Sequence, residues 1–318
     1  MNARDRSGVE RRTVLLLAGA VCGAMAWILL TRWGVVIHGH PAYAVLLGLT
    51  VVGTLVGVWR WNRRMPSPTS RGRQVLRTLG ILLALAWIAG LAWLRPFPAG
   101  ATAMAAMTSD AKVSVAETAT QITLTPETSR STVGVFFQPG ARVDARAYAA
   151  HLRPLAEAGH LVVIAKQPLG IAFLATGAFE SAMESRGEIQ RWVIAGHSLG
   201  GTVAAMEAAD LHASQPEELG GLVLWGSYPA SPIDDLTPGA ALSISGSQDG
   251  LSTPADIDAS RADLPADTAF EVIEGGSHAQ FGDYGAQPGD GTPTISADQA
   301  RAEISAATLA FVERLTSP

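Results

Sequence analysis

The 318-residue chain is 48% hydrophobic and only 16% charged, with a mean hydropathy of +0.22, too apolar for one ordinary soluble domain and too polar for a chain lying wholly in membrane. Its net charge of -5 is mild and its basic residues are mostly arginines in the first hundred positions, which argues against a nucleic-acid-binding surface. The single cysteine, Cys22, excludes an intrachain disulfide and a cysteine metal cluster.

Three uncharged stretches open the chain: Thr13 to Leu30, Ala42 to Val58 and Thr78 to Leu94. Each is close to the roughly 17–25 residues that a spanning helix requires. Residues 1–95 are therefore expected to form a membrane anchor with three transmembrane helices, about 13–30, 42–58 and 78–94. A cleaved signal peptide would need a small-x-small site, which "AMAWILLTRWG" lacks, and a lipid-bearing Cys22 would need a small residue where Val21 stands. Arg4, Arg6, Arg11 and Arg12 precede the first stretch, and Arg60, Arg63, Arg64, Arg71, Arg73 and Arg77 lie between the second and third. The other side has Arg32 and Arg95. Because short arginine-rich loops stay cytoplasmic, the N-terminus is expected inside and everything after Leu94 outside a multi-pass cell membrane. Trp27, Trp33, Trp59, Trp61, Trp87 and Trp93 lie mostly near the ends of the stretches, as an interfacial belt would. No charge lies at mid-depth, so an anchor is expected rather than a transport path.

Residues 96–110, small and Pro-containing without periodicity, read as a linker. The domain after it, 111–318, is long enough for one well-filled core. "KVSVAETATQITLTP" alternates as a leading antiparallel hairpin. Apolar strand candidates then follow at Thr132–Phe137, Leu161–Ala165, Trp192–Gly196, Leu222–Gly226, Ala241–Gly246 and Ala269–Gly275, separated by amphipathic segments beginning at Asp144, Gly177, Gly200 and Pro254, with a last one from Ser296. Strand alternating with helix implies an α/β fold, a mostly parallel doubly wound sheet with strands buried on both faces. Reactive groups in such sheets gather at the carboxyl ends of the strands.

At one such end stands "GHSLG". Gly196 and Gly200 let the chain turn sharply between strand and helix, leaving Ser198 strained with its hydroxyl projecting and the Leu199 amide at a helix N-terminus. A serine needs a base to take its proton and an acid to orient that base. Of the seven histidines, His278 lies in a loop just past the last strand, whereas His197 is in the turn itself and must point away from Ser198. Asp249, in "SGSQDG", follows the preceding strand. Ser198, Asp249 and His278 stand in the chain order of an α/β-hydrolase triad. Through "GHSLGG", "SGSQDG" and "GGSHAQFGDYG" the chain from about Lys112 to Pro318 resembles the α/β-hydrolase superfamily. "PGARVDARAY" and "KQPLGIAF" also resemble a membrane-anchored bacterial branch of it.

The resemblance implies a second oxyanion donor in the turn "QPGARVD". Pro139 has no amide proton, so Ala141 is the candidate beside Leu199. Arg142 follows as a possible receptor for an acidic substrate group. Only Gly226 to Ala240 is available for a lid, which excludes a large cap there. The long loop Phe281 to Ser296 is expected to be able to fold over the site, with Gln280, Phe281 and Tyr284 facing the pocket and Lys166 lining its other side. The implied function is a serine hydrolase cleaving a carboxylic ester, lactone or thioester in a small-molecule or lipid-like substrate, through an acyl-enzyme on Ser198. An envelope acyltransferase with the same triad, or a non-catalytic binding module, are the alternatives. No metal or cofactor is called for: H-E-x-x-H and G-x-G-x-x-G are absent.

Overall fold

The computed structural model describes residues 3–63, 70–236 and 241–315. Arg64 of the arginine-rich loop and residues 237–240 of the short lid interval lie outside them. The chain divides into two compact units, Met1–Arg95 and Pro96–Pro318.

The first unit contains α1 (Ala3–His38), α2 (Pro41–Asn62) and α3 (Arg71–Trp93). All three are long and apolar enough to cross a membrane. Helix α1 runs past the expected Leu30 to His38, bending at Arg32, whose φ of -138° leaves the helical region. His40 then caps α2 by accepting from the Ala42 amide, with Pro41 in the first turn where its missing N–H costs nothing. Trp87 Nε1 donates to Thr50 Oγ1 at 3.2 Å, tying α3 to α2. Arg95 donates to Thr31 Oγ1 at 3.0 Å and stacks over Trp27. Leu16, Leu30 and Leu83 stay exposed, so the outer faces remain apolar.

The second unit is an eight-stranded sheet flanked by helices. Its strands are β1 (Val113–Glu117), β2 (Gln121–Pro126), β3 (Val133–Gln138), β4 (Val162–Ala165), β5 (Arg191–His197), β6 (Leu219–Trp225), β7 (Ala241–Gly246) and β8 (Ala269–Ile273). The spatial order is β1-β2-β4-β3-β5-β6-β7-β8. β1 and β2 form the antiparallel hairpin, β2 pairs antiparallel with β4, and all later pairs are parallel. The chain reverses its direction of travel across the sheet between β3 and β5, the switch point at which α/β sheets bind ligands.

Strand residues alternate between two cores. Val135, Phe137, Val193, Val223 and Trp225 meet Leu152 of α5 (Ala149–Glu157) and Phe311 of α9 (Ala297–Arg314) on one face. Phe136, Val163, Ile194 and Leu224 meet Phe179 of α6 (Ala178–Glu184) and Ala204 of α7 (Leu199–Ser214) on the other. β8 departs from the expectation of burial on both faces: it is the edge strand, and Val272 is 50% exposed.

Residues 96–110 are not a free linker. Phe97 bridges Val143, donating to the Arg142 carbonyl and accepting from the Asp144 amide, and α4 (Ala101–Ala106) follows. Asp283 Oδ2 accepts from the Ala103 amide at 2.8 Å, and Arg153 donates to the Ala106 and Thr108 carbonyls. Both ends of this short helix are thus held by distant side chains, so its own sequence carries no capping signature.

Phe137 is fully buried, with the Tyr148 and Trp225 rings each 4.8 Å from its own. Phe137→Ala should lower the unfolding free energy by about 3–5 kcal/mol. Denaturant melts of the full chain in detergent micelles measure this.

Candidate active site

β5 delivers the chain into a turn where Ser198 has φ 52° and ψ -128°, a conformation rarely adopted by a residue with a side chain. Its amide donates to the Trp225 carbonyl at 3.0 Å, and its carbonyl accepts from Gly201, Thr202 and the Ser227 hydroxyl. The backbone is therefore held on every side. Gly200 explains the sharpness of the turn: a Cβ there would come within 2.2 Å of the Gln138 carbonyl oxygen and 2.3 Å of that of Pro139. The first turn of α7 thus lies directly against the loop that leaves β3.

Within that loop the amides are already assigned, with one exception. Gly140 N–H donates to the Tyr148 hydroxyl, Arg142 N–H to the Gly170 carbonyl and Val143 N–H to the Gly140 carbonyl. Among the described residues the Ala141 amide finds no acceptor, and neither does that of Leu199 at the head of α7. Two backbone donors not used in the fold therefore lie on elements in direct contact.

Past β7 and β8, His278 Nδ1 and Asp249 Oδ2 are 2.8 Å apart, with both side chains essentially buried. The other carboxylate oxygen accepts from the Leu251 and Ser252 amides at 2.8 Å each. With Asp249 so fixed, the proton belongs on Nδ1, and Nε2, which has no partner among the described residues, holds the lone pair. The pair lies beside the serine turn: the His278 ring is centred 4.5 Å from that of His197, and Asp249 Oδ2 faces Gly226, next after the residue that binds the Ser198 amide.

His197 does turn away from the serine. Its Nδ1 shares a 2.8 Å hydrogen bond with the Tyr148 hydroxyl, and its ring stacks on Phe281. Burial first, then the neighbouring His278 and His151, hold its imidazole well below the ordinary histidine range, so it stays neutral beside His278.

Four expected pocket residues are used elsewhere. Lys166 is buried and paired at 2.7 Å with Glu117 of the β1–β2 hairpin, so it does not line the site. The Gln280 side chain spans its own turn, accepting from the Ser277 amide and donating to the Ile295 carbonyl. Phe281 and Tyr284 are 1% and 5% exposed and form packing around His197 instead of facing a ligand. Arg142 does sit beside Ala141, in a left-handed conformation at φ 61°, its guanidinium over the Phe97 ring.

Residues 134–302 match the model of the alpha/beta hydrolase family, more than half of the chain. The chain belongs to the alpha/beta hydrolase family. Similar solved structures include an esterase of Pyrobaculum calidifontis, 14% identical over 68% of this chain and 89% of that one, with a TM-score of 0.49. A Xanthomonas campestris protein described as an α/β serine hydrolase without a lid is 16% identical over 66% and 98%, with a TM-score of 0.47. A Thermus thermophilus protein is 17% identical over 65% and 99%, at 0.46. No curated protein sequence matches.

The hydrolase also contains a buried polar relay that motif reading missed. Glu207 of α7 accepts from Gln138 Nε2 at 2.8 Å, and Gln167 Nε2 donates to Gln138 Oε1 and to the Pro139 carbonyl. The relay thus braces the loop that carries Ala141. Its signal in the sequence is a glutamate within the stripe Gly200, Ala204, Glu207, Leu211 that buries one face of α7. Burial pushes the Glu207 carboxyl up to about 8, opposed by the Gln138 hydrogen bond and aided by Glu180 and Asp210.

An unfolded glutamate titrates near 4.5, so the folded hydrolase holds this proton across a window in which the unfolded chain has lost it. Stability from this group is full below about pH 4.5 and declines as pH rises through about 8. Glu207→Gln should therefore gain on the wild type in melting temperature between pH 5 and pH 9. A constant difference would contradict the buried neutral acid. Glu207→Ala, which leaves Gln138 without its acceptor, should lose about 1–3 kcal/mol throughout.

Proposed function

We propose that this hydrolase is a membrane-anchored serine hydrolase that cleaves an ester-like bond, a carboxylic ester, lactone or thioester, in a small-molecule or lipid-like substrate. The observation that carries the reading is a strained Ser198 in a turn that lies beside a histidine whose Nδ1 is bound to a buried carboxylate and whose Nε2 has no partner among the described residues. Ser198 Oγ attacks the carbonyl carbon as its proton passes to His278 Nε2, and the oxyanion accepts from the Leu199 and Ala141 amides. Collapse breaks the bond to the leaving group, which takes the proton from His278. Water then attacks the acyl carbon, gives its proton to His278, and the acid departs as the proton returns to Ser198. Asp249 stabilises the imidazolium in both steps. Arg142, next to Ala141, is the candidate receptor for an acidic substituent.

In this reading residues 1–95 are the anchor, with the spans near 13–30, 42–58 and 78–94, and 111–318 hold the catalytic machinery. Three apolar helices and the arginine distribution support an inside N-terminus and a catalytic unit outside the cytoplasmic membrane.

Ser198→Ala should abolish fluorophosphonate labelling and reduce p-nitrophenyl ester turnover at least about a thousandfold. Normal labelling of that variant would sink the assignment. A reporter that is active only outside the membrane, fused after Pro318, should be active; an intact but silent fusion would reverse the orientation.

A further inference from the structure

The loop 281–296 packs back on the loop that carries Asp249. Its residues 289–291 run along the backbone that carries Asp249, and glycine is required on both sides of the contact. A Cβ at Gly291 would come within 1.9 Å of the Gln248 carbonyl oxygen, and one at Gly250 within 2.6 Å of the Gly291 nitrogen. At the centre of this contact, Asp290 Oδ1 accepts from Gly250 N–H at 3.2 Å, His278 N–H at 3.1 Å and Gly291 N–H at 2.7 Å. Its Oδ2 accepts from Ala279 N–H at 2.8 Å. Partial burial works to raise the Asp290 carboxyl, but the bonds from Ala279, Gly250, His278 and Ser277 outweigh it and hold the group below the usual carboxylate range. It is a fixed anion.

One side chain therefore grips the residue after Asp249 and the backbone of His278 itself. The need for such a grip lies in the topology. Both loops leave the β7–β8 end of the sheet, where β8 is the edge strand and is half exposed along its length. We propose that Asp290 is a positioning residue for the hydrolytic reaction, clamping the Asp249 loop to the His278 loop so that the imidazole keeps Nδ1 on the carboxylate and Nε2 toward the serine. This rests on the Ser198–His278–Asp249 reading. Asp290 touches no reacting atom and acts through the orientation of His278. Misorientation of a general base slows chemistry without weakening substrate binding.

The test uses the full chain in detergent micelles, with p-nitrophenyl ester turnover and fluorophosphonate labelling. Asp290→Ala should lower kcat about 10- to 100-fold while KM stays within about threefold, since small displacements of catalytic groups cost rates of this order. Asp290→Asn keeps an oxygen for the Gly250 and His278 amides but loses the acceptor for Ala279 N–H, and should lower kcat only about two- to tenfold at unchanged KM. Thr292→Ala, two residues on and exposed, should match wild type. A folded Asp290→Ala protein with wild-type kcat, or a loss carried wholly by KM, overturns the proposal. If Asp290→Ala does not melt cooperatively, Asp290→Asn decides: reduced kcat at constant KM supports the clamp, and wild-type kcat removes it. Labelling separates the two levels, because a wild type that resists the probe, or a labelled Ser198→Ala variant, rejects the triad reading itself.

Discussion

Everything at this site depends on one approach of backbone to backbone. Strands β3 and β5 lie side by side and parallel, and where both end, the first turn of α7 presses on the carbonyls of Gln138 and Pro139. Hydrogen at the Gly200 α-carbon is the largest substituent that fits. That contact sets the Leu199 amide against the loop carrying the Ala141 amide, and forces the sharp turn that leaves Ser198 at a positive φ. The strain persists because the Ser198 amide and carbonyl are both held by β6 and its following turn. A serine in an ordinary helix start would have neither the projection nor the partner donor.

The groups that brace that contact from beneath are neutral. Tyr148 and His197 lie beneath the Ala141 loop as a neutral hydrogen-bonded pair, and the Gln138–Gln167–Glu207 relay braces its start with amides and a carboxyl that burial keeps protonated near neutral pH. A cation at His197 would oppose protonation of His278, 4.5 Å away between ring centres. Buried neutral groups can fix a loop through directional bonds without competing for the proton that the proposed chemistry moves.

What the sequence makes legible follows from range. The strands stand out because runs such as "LVVIA" and "WVIAG" are buried on both faces and need no distant partner to announce them. "GHSLG" is legible because strand, turn and helix are contiguous, and Asp249 and His278 because their positions after later strands fit one chain order. Misread residues are those whose partners lie far away. Lys166 looks like a lone cation until Glu117, 49 positions earlier, is brought beside it. Residues 96–110 look structureless because Asp283, 180 positions from Ala103, supplies the cap. Gln280, Phe281 and Tyr284 follow the histidine and invite a pocket assignment, yet their environment is set by His197, Ile295 and Phe97. Asp290 was hidden for the same reason: an aspartate between glycines reads as a turn until the amides of two other loops converge on it.

The folding of residues 96–106 onto the second unit changes where that unit begins. Cutting the chain at Ala111, where the strand pattern starts, would strip Phe97 from Arg142 and Asp144, uncover Tyr284, and leave the Asp283 carboxylate without the Ala103 amide. Those contacts support the turn that carries Ala141 and the loop that follows His278. The second unit on its own has its natural edge at Pro96, and protease sites introduced between Ala99 and Met107 would be cut only when the neighbourhood of the Ala141 turn opens.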